Sequence, residues 1–259
     1  MLGAIAGDVI GSVHEAVGTK TKRFPLFVPE SRFTDDTVLT VAVAEALLTD
    51  GDYGSALRRW GRRYPDAGYG WRFWCWLNTP EPKPYGSFGN GSAMRVSPVA
   101  WAFDTEAEVL REAERSALPT HDHHEGIRGA QATALAILLA RQGAGQAEIA
   151  REIARRFGYD LSFSVSGIRR EYRFDETCQG SVPQALVAFR EGADFEDCVR
   201  NAVSLGGDAD TLACIAGSVA EPFFGGVPDP IATAALERLD VRMRNVLEEF
   251  RRRFVERRR

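Results

Sequence analysis

The 259-residue chain is 44% hydrophobic and 26% charged, which suits one large domain, residues 1–259, with a substantial core. Its net charge of −4 argues against general nucleic-acid binding, which needs a basic surface to neutralise phosphate. Cys75, Cys178, Cys198 and Cys214 make no CxxC pair and the apolar N-terminus lacks a basic start, so free thiols in a reducing, cytoplasmic setting are expected.

The chain opens on GAIAGDVIGSVHE, Gly3–Glu15, where Gly3, Gly7, Gly11 and Glu15 recur every four residues. On a helix three glycines then share one stripe, each costing ~1 kcal/mol relative to alanine, which implies close approach by another helix or backbone. Asp8, beside the stripe, reads as a buried structural acid. Glu15 has no basic neighbour in sequence and is a candidate general acid or base, or simply an exposed glutamate.

Next comes TDDT, Thr34–Thr37. The spacing of Val38, Val41, Ala42 and Leu48 predicts a helix over 36–48, with Thr34 and Asp35 as caps. Residues 64–98 crowd glycine, proline and aromatics together, which predicts loops at a functional face. Trp71, Trp74 and Trp76 there read as core or lid aromatics, with base stacking as a lesser reading. Within that stretch GSFGNGSAMR, Gly86–Arg95, offers backbone N–H groups suited to a diphosphate, although it lacks the lysine of a P-loop and no strand precedes it. A plain glycine-rich turn is the alternative.

Further helices are predicted at 105–117, 126–142, 146–157, 181–190, 194–204, 209–220 and 229–256, and one short strand at Leu161–Val165. The most apolar run, Ala130–Ala140, is shorter than the ~20 residues of a membrane span. THDHHEG, Thr120–Gly126, packs three histidines into one turn, a poor zinc set. His121–Asp122 also resembles the HD pair of helical metal phosphohydrolases. The arginines at 251–253 and 257–259 read as a solvated helix end.

GDADT, Gly207–Thr211, answers TDDT from the far side of the chain. Asp35, Asp36, Asp208 and Asp210, with Thr34, Thr37 and Thr211, are hard oxygen ligands of the kind Mg²⁺, Mn²⁺ or Ca²⁺ takes. Four carboxylates gathered without cations would repel one another. A two-metal site built from both runs is the economical reading, against two separate helix starts dressed with caps and acids.

Taken in order, GAIAGDVIGSVHE, FTDDT, GSFGNGSAMR, Thr120–His121 and SLGGDADT resemble the ADP-ribosylglycohydrolase family from residue 2 to about residue 226. The resemblance implies a compact, single-domain, all-α fold with a binuclear Mg²⁺ site, Mn²⁺ being the alternative ion. Position by position, it puts Thr34, Asp35, Asp36 and Asp210 on one metal, and Asp208, Asp210 and Thr211, with Asp35 as a further bridge, on the other. Gly86, Ser87, Phe88, Gly89, Asn90 and Gly91 match the family's diphosphate and ribose loop. His121 matches a histidine that contacts bound ADP-ribose, Asp35 a metal ligand that also meets the substrate, and Glu15 the catalytic glutamate of one branch. Other branches use an aspartate from another loop, a part Asp66 could take.

The implied reaction is metal-dependent hydrolysis of the bond between ADP-ribose and an acceptor nitrogen or oxygen, on a protein side chain such as Arg or Ser or on a small molecule, releasing ADP-ribose. Two rivals stand beside it: a helical metal phosphohydrolase built on His121–Asp122, and a non-catalytic ADP-ribose-binding or structural relative. No membrane partner is expected.

Overall fold

The computed structural model describes residues 1–256; Arg257–Arg259, the end of the basic tail, lie outside the described residues. Helix accounts for 63% of the chain, and among the described residues no strand forms and a lone antiparallel bridge joins Gly89 to Thr177. The all-α expectation therefore holds. The helices in order are α1 (Leu2–Gly11), α2 (Asp35–Leu48), α3 (Tyr53–Arg63), α4 (Trp71–Asn78), α5 (Gly91–Met94), α6 (Ser97–Ala102), α7 (Glu106–Ala117) and α8 (His124–Arg141). They continue with α9 (Gln146–Phe157), α10 (Val165–Ile168), α11 (Cys178–Arg190), α12 (Phe195–Val203), α13 (Ala209–Phe223), α14 (Asp229–Glu237) and α15 (Val241–Phe250).

The hub is α13. Every residue from Ala209 to Ala220 is buried, so this helix is apolar around its whole circumference except where Asp210, Thr211 and Ser218 interrupt it. A helix of that kind belongs inside a bundle. It packs against α1, α12, α11 and α8, and at its head against α5 and α2. Leu212, Ile215 and Val219 are fully buried, each contributing about 1.5–3 kcal/mol by removal from water.

The contact with α1 is a backbone contact. A Cβ at Gly3 would collide with the carbonyl of Gly217, and one at Gly7 with the carbonyl of Ala213; one at Gly11 would overlap Asp210 Cα. The glycine stripe read in the sequence thus has α13 as its partner, and the cost of glycine in a helix is offset by two axes brought unusually near.

Two expectations are corrected. No strand forms at Leu161–Val165: Arg190 donates to the carbonyls of Leu161 and Phe163, taking the groups a ladder would need, and Val165 instead opens α10 under a Ser164 cap. The helix expected over 229–256 breaks between Glu237 and Val241, where Asp240 caps α15 by accepting from Arg242 N at 2.8 Å and Met243 N at 3.0 Å. Beyond Phe250 the chain continues as wider π turns over Arg251–Val255, with its arginines exposed, as expected of a solvated end.

The 64–98 stretch is less loop-like than expected. Its α4 buries Phe73, Trp76 and Leu77 at helical spacing and turns Trp71 and Trp74 outward as a stacked pair, centroids 5.3 Å apart. The four cysteines are free, and no described helix is long and apolar enough to cross a membrane.

Candidate functional site

Asp8 organises the site from below. It is fully buried on α1 and accepts from Thr34 N at 3.0 Å, Thr34 Oγ1 at 2.7 Å, Thr37 N at 3.0 Å and the Thr37 hydroxyl. A carboxylate has about four lone-pair positions. Three of these bonds fall on Oδ2 and one on Oδ1, and together they hold the N-terminus of α2 onto α1, so the reading of Asp8 as a structural acid fits its surroundings. Thr34 is the N-cap of α2, and Asp35 and Asp36 form its first turn. This arrangement aims both carboxylates toward the head of α13.

That head is set by a glycine pair. Gly206 and Gly207 have φ of +64° and +68°, left-handed conformations that side-chain-bearing residues rarely adopt. The turn they make delivers Asp208 as the N-cap position of α13 and Asp210 in its first turn. Lys20 donates to the carbonyls of Leu205 and Tyr172, tying the segment after Glu15 to the same turn.

The result is one acidic cluster. Oxygens of Asp8, Asp36 and Asp210 lie within 4.8 Å of one another, as do those of Glu15, Asp208 and Asp210. Asp210 belongs to both groups. Thr211 Oγ1 donates to Asp36 Oδ2 at 3.1 Å, and Asn90 Nδ2 donates to Asp208 Oδ2 at 2.7 Å. Asp36 Oδ1 is buried without a partner. Among the described residues no lysine or arginine forms an ion pair with any of these acids.

The electrostatics follow. Burial, then the charges of Asp8 and Asp208, push Asp35 up to about 8. Burial also holds Asp36 well above the ordinary carboxylate range, helped by Asp8 and Asp35, and does the same to Asp210, helped by Asp36 and Asp208. Glu15, on an exposed turn after α1, is raised by partial burial of its carboxyl and by Asp208. Crowded, buried acids with an orphaned oxygen and no cation fit a divalent-ion site, and the donors are the hard oxygens such ions take.

A cleft of about 490 Å³ opens above the cluster, within the range of small-molecule sites. The floor carries Glu15, Thr34, Asp35, Asp36, Asp208, Asp210 and Thr211. The far wall is the Ser87–Gly91 stretch with His121 behind it. This wall is stitched on both sides. Gly86 N donates to Asp122 Oδ1 and Ser87 N to Thr120 O, while Asn90 N donates to Glu176 O and Phe88 O accepts from Cys178 N. Gly89 N turns inward to Ser87 Oγ. The loop therefore has fewer free amides than its composition suggests: those of Phe88 and Gly91 remain unbonded among the described residues. His121 is buried beneath, its Nε2 3.5 Å from where a Cβ on Gly91 would sit.

A family model described as ADP-ribosylglycohydrolase matches residues 1–259. The chain belongs to the ADP-ribosylglycohydrolase family. ADP-ribosylhydrolase ARH3 of Mus musculus is 28% identical over 307 residues, covering 87% of this chain and 82% of that protein. The Homo sapiens ARH3 is 28% identical, with 87% and 84% covered. ADP-ribosylarginine hydrolase Tri1 of Pseudomonas putida is 24% identical, with 88% and 71% covered. A solved structure titled ADP-ribosylglycohydrolase-related protein complex superposes with a TM-score of 0.69 at 28% identity, covering 97% of this chain and 96% of that one.

Set within the family fold, Glu15, the Thr34–Asp36 run, Asp208, Asp210, Thr211, the Ser87–Gly91 loop and His121 all line one cleft, whereas Gly86, expected with that loop, is not in the lining and gives its N–H to Asp122. Asp66 is exposed and is also not among the lining residues, to which its neighbours Ala67 and Gly68 contribute. Asp122 is engaged with Gly86 N, and no histidine joins either acidic group among the described residues, so a metal pair at His121–Asp122 has no support. Sequence reasoning missed the bridge from Asn90 to Asp208 and the buried Arg95. Asn90 carried no signal beyond its place among glycines. Arg95 did carry one, an arginine directly after the apolar Ala93–Met94.

Proposed function

We propose that this chain is a metal-dependent ADP-ribosylglycohydrolase, a single domain over residues 1–259, that hydrolyses the bond between C1″ of the distal ribose and an acceptor nitrogen or oxygen. The observation that carries this reading is the meeting of Asp36, Asp208, Asp210 and Glu15, without a counter-cation, on the floor of a cleft walled by the Ser87–Gly91 loop. Thr34, Asp35, Asp36, Asp208, Asp210 and Thr211 would hold two Mg²⁺, or Mn²⁺. Bound there, the ions would supply neutralising charge and Lewis acidity toward the hydroxyls of the distal ribose.

The remaining roles fall to the chain's own groups. The Ser87–Gly91 wall, through the Phe88 and Gly91 amides, receives the diphosphate, and His121 lies under it. Asn90 braces Asp208 at 2.7 Å, so the wall and floor keep a fixed separation. Glu15 stands at the edge of the acidic floor, where it moves a proton to the leaving acceptor or from the attacking water. The cleavage passes through an oxocarbenium-like state, as in other glycoside hydrolysis. The substrate would be an ADP-ribosylated protein side chain or small molecule.

Released ADP-ribose tests the proposal. ADP-ribosyl-arginine, named by the Tri1 relative's title, is offered in parallel with ADP-ribosyl-serine and poly(ADP-ribose), with Mg²⁺ and with chelator. Release from at least one, abolished by chelator, is expected. Full activity in metal-free buffer, or tight ADP-ribose binding with no turnover on any linkage, would overturn it.

A further inference from the structure

Arg95 is fully buried, yet no carboxylate pairs with it among the described residues. Its Nη2 donates to the carbonyls of Ser116 at 3.0 Å and Ala117 at 3.4 Å, the last residues of α7, and to Thr120 Oγ1 at 2.9 Å. Nε and Nη1 have no partner at all. Leaving buried donors unmade costs about 1–3 kcal/mol each. Among the described residues the one side chain this guanidinium hydrogen-bonds is Thr120, and Thr120 bonds one further side chain, His121 through Nδ1, at 2.7 Å.

The proton on that second bond can be assigned. Thr120 Oγ1 already accepts from a cation, and the structure gives its hydroxyl proton no acceptor other than Nδ1. A proton on Nδ1 would instead point its positive end at a hydroxyl polarised by the guanidinium. Nδ1 is therefore bare, and the neutral ring carries its proton on Nε2. Nε2 makes no bond inside the protein, and it lies 3.5 Å and 3.7 Å from where Cβ atoms on Gly91 and Gly89 would sit.

We propose that Arg95 is a positioning residue: acting through Thr120, it holds the His121 ring in a single tautomer that presents Nε2–H to the Ser87–Gly91 wall. The wall then carries a donor-only group that selects an acceptor atom on whatever lies there. Assigning that acceptor to ADP-ribose rests on the function proposed above; the tautomer does not. The charged and titrating groups around the ring agree with a neutral imidazole. Arg95 contributes to the lining of the same cleft, Arg72 of α4 sits over the Tyr85 ring at 4.9 Å, and Tyr85 faces His121 with centroids 6.4 Å apart. On its own segment, Asp122 is turned away to Gly86 N and His123 toward Phe88. Burial and the two arginines hold His121 well below the ordinary histidine range.

The test is tautomer-resolved NMR on the full chain, labelled with ¹⁵N-histidine, with saturating Mg²⁺, over pH 5–8. The chain has 4 histidines, and His121→Gln assigns the signal. Wild type is expected to show Nε2–H alone across the range. Arg95→Met and the near-isosteric Thr120→Val should each give mixed tautomers. Arg95→Met should also raise the titration of His121, and Arg95→Lys should restore much of the wild-type signature. If Arg95→Met does not fold, Thr120→Val decides alone. A wild-type ring protonated on Nδ1, or an unchanged Nε2–H signature in the folded variants, would overturn the proposal. The spectra are of ligand-free protein. A failure to bind ADP-ribose, measured separately by calorimetry, would sink the functional reading while the tautomer result stood on its own.

Discussion

Gly11 on α1 lies against the backbone of Asp210 at the head of α13, with no room for a Cβ between them. The contact places a metal-ligand candidate by main-chain packing, so a methyl group there acts on stability and on the site together. Gly11→Ala gains about 1 kcal/mol in helix propensity but forces two helices apart, and overpacking of that kind costs about 1–3 kcal/mol or more. A net loss is expected in urea unfolding, with weakened Mg²⁺-dependent stabilisation. Gly54→Ala in α3, whose added Cβ would meet nothing nearer than 3.5 Å, is the control and should be neutral or slightly stabilising.

Asp36 and Asp210 are buried together with like charges nearby and no cation paired with them. Asp36→Asn and Asp210→Asn should therefore be more stable than wild type in chelator, because each removes one member of a repelling set. Both should lose the gain that metal confers. For wild type that gain is about 2.7 kcal/mol at a hundredfold excess of ion over Kd. Turnover should fall at least about 100-fold in each. Thermal unfolding with and without Mg²⁺ gives the comparison.

Glu15 separates chemistry from binding. It sits on an exposed turn at the cleft edge, away from the Ser87–Gly91 wall that would hold the diphosphate. Glu15→Gln should lower turnover by about 10²–10⁴-fold, the usual contribution of a positioned acid or base, and leave ADP-ribose affinity near wild type. Loss of affinity in step with turnover would mean that Glu15 serves binding instead.

His121 gives a pH dependence of defined sign. Its folded pKa is depressed, first by burial and then by Arg95 and Arg72, while the unfolded chain titrates near 6.5. Below 6.5 the unfolded state binds a proton that the folded state refuses. Stability from this group is full above pH 6.5 and falls as pH drops, by up to about 1.4 kcal/mol per pH unit. His14, also lowered by burial, acts in the same direction, so the comparison is wild type against His121→Gln. Urea unfolding at saturating Mg²⁺ should show the shallower acid slope in the variant.

The helical class and most of the site were legible because their signals are local. The glycine stripe, TDDT and the Gly-Gly turn before Asp208 each announce a backbone geometry in a few adjacent residues. What escaped depends on distant partners. α3 is the exception, because its Asp52 cap and the helical spacing of Tyr53, Ala56, Leu57 and Trp60 are local signals that the sequence reading passed over. The strand expected at Leu161–Val165 is missing where Arg190, 29 residues away in sequence, takes the Leu161 carbonyl. Arg95 could be seen as an arginine after apolar residues, but its burial against the end of α7 is a tertiary fact. Glu15 and Asp36 were equally visible as letters; only the fold shows that one faces solvent and the other has an orphaned oxygen.

The acidic floor draws four of its residues, Glu15, Thr34, Asp35 and Asp36, from before Thr37 and three, Asp208, Asp210 and Thr211, from after Gly207. During synthesis the first group emerges before the second, but α1, which carries Asp8, has no partner for its glycine stripe until α13 follows. A fragment truncated before Gly207 therefore lacks Asp208, Asp210 and Thr211 and also the helix that α1 packs on. The proposed site is thus completed by the arrival of the central helix, which supplies both the second run of ligand candidates and the surface that α1 packs against.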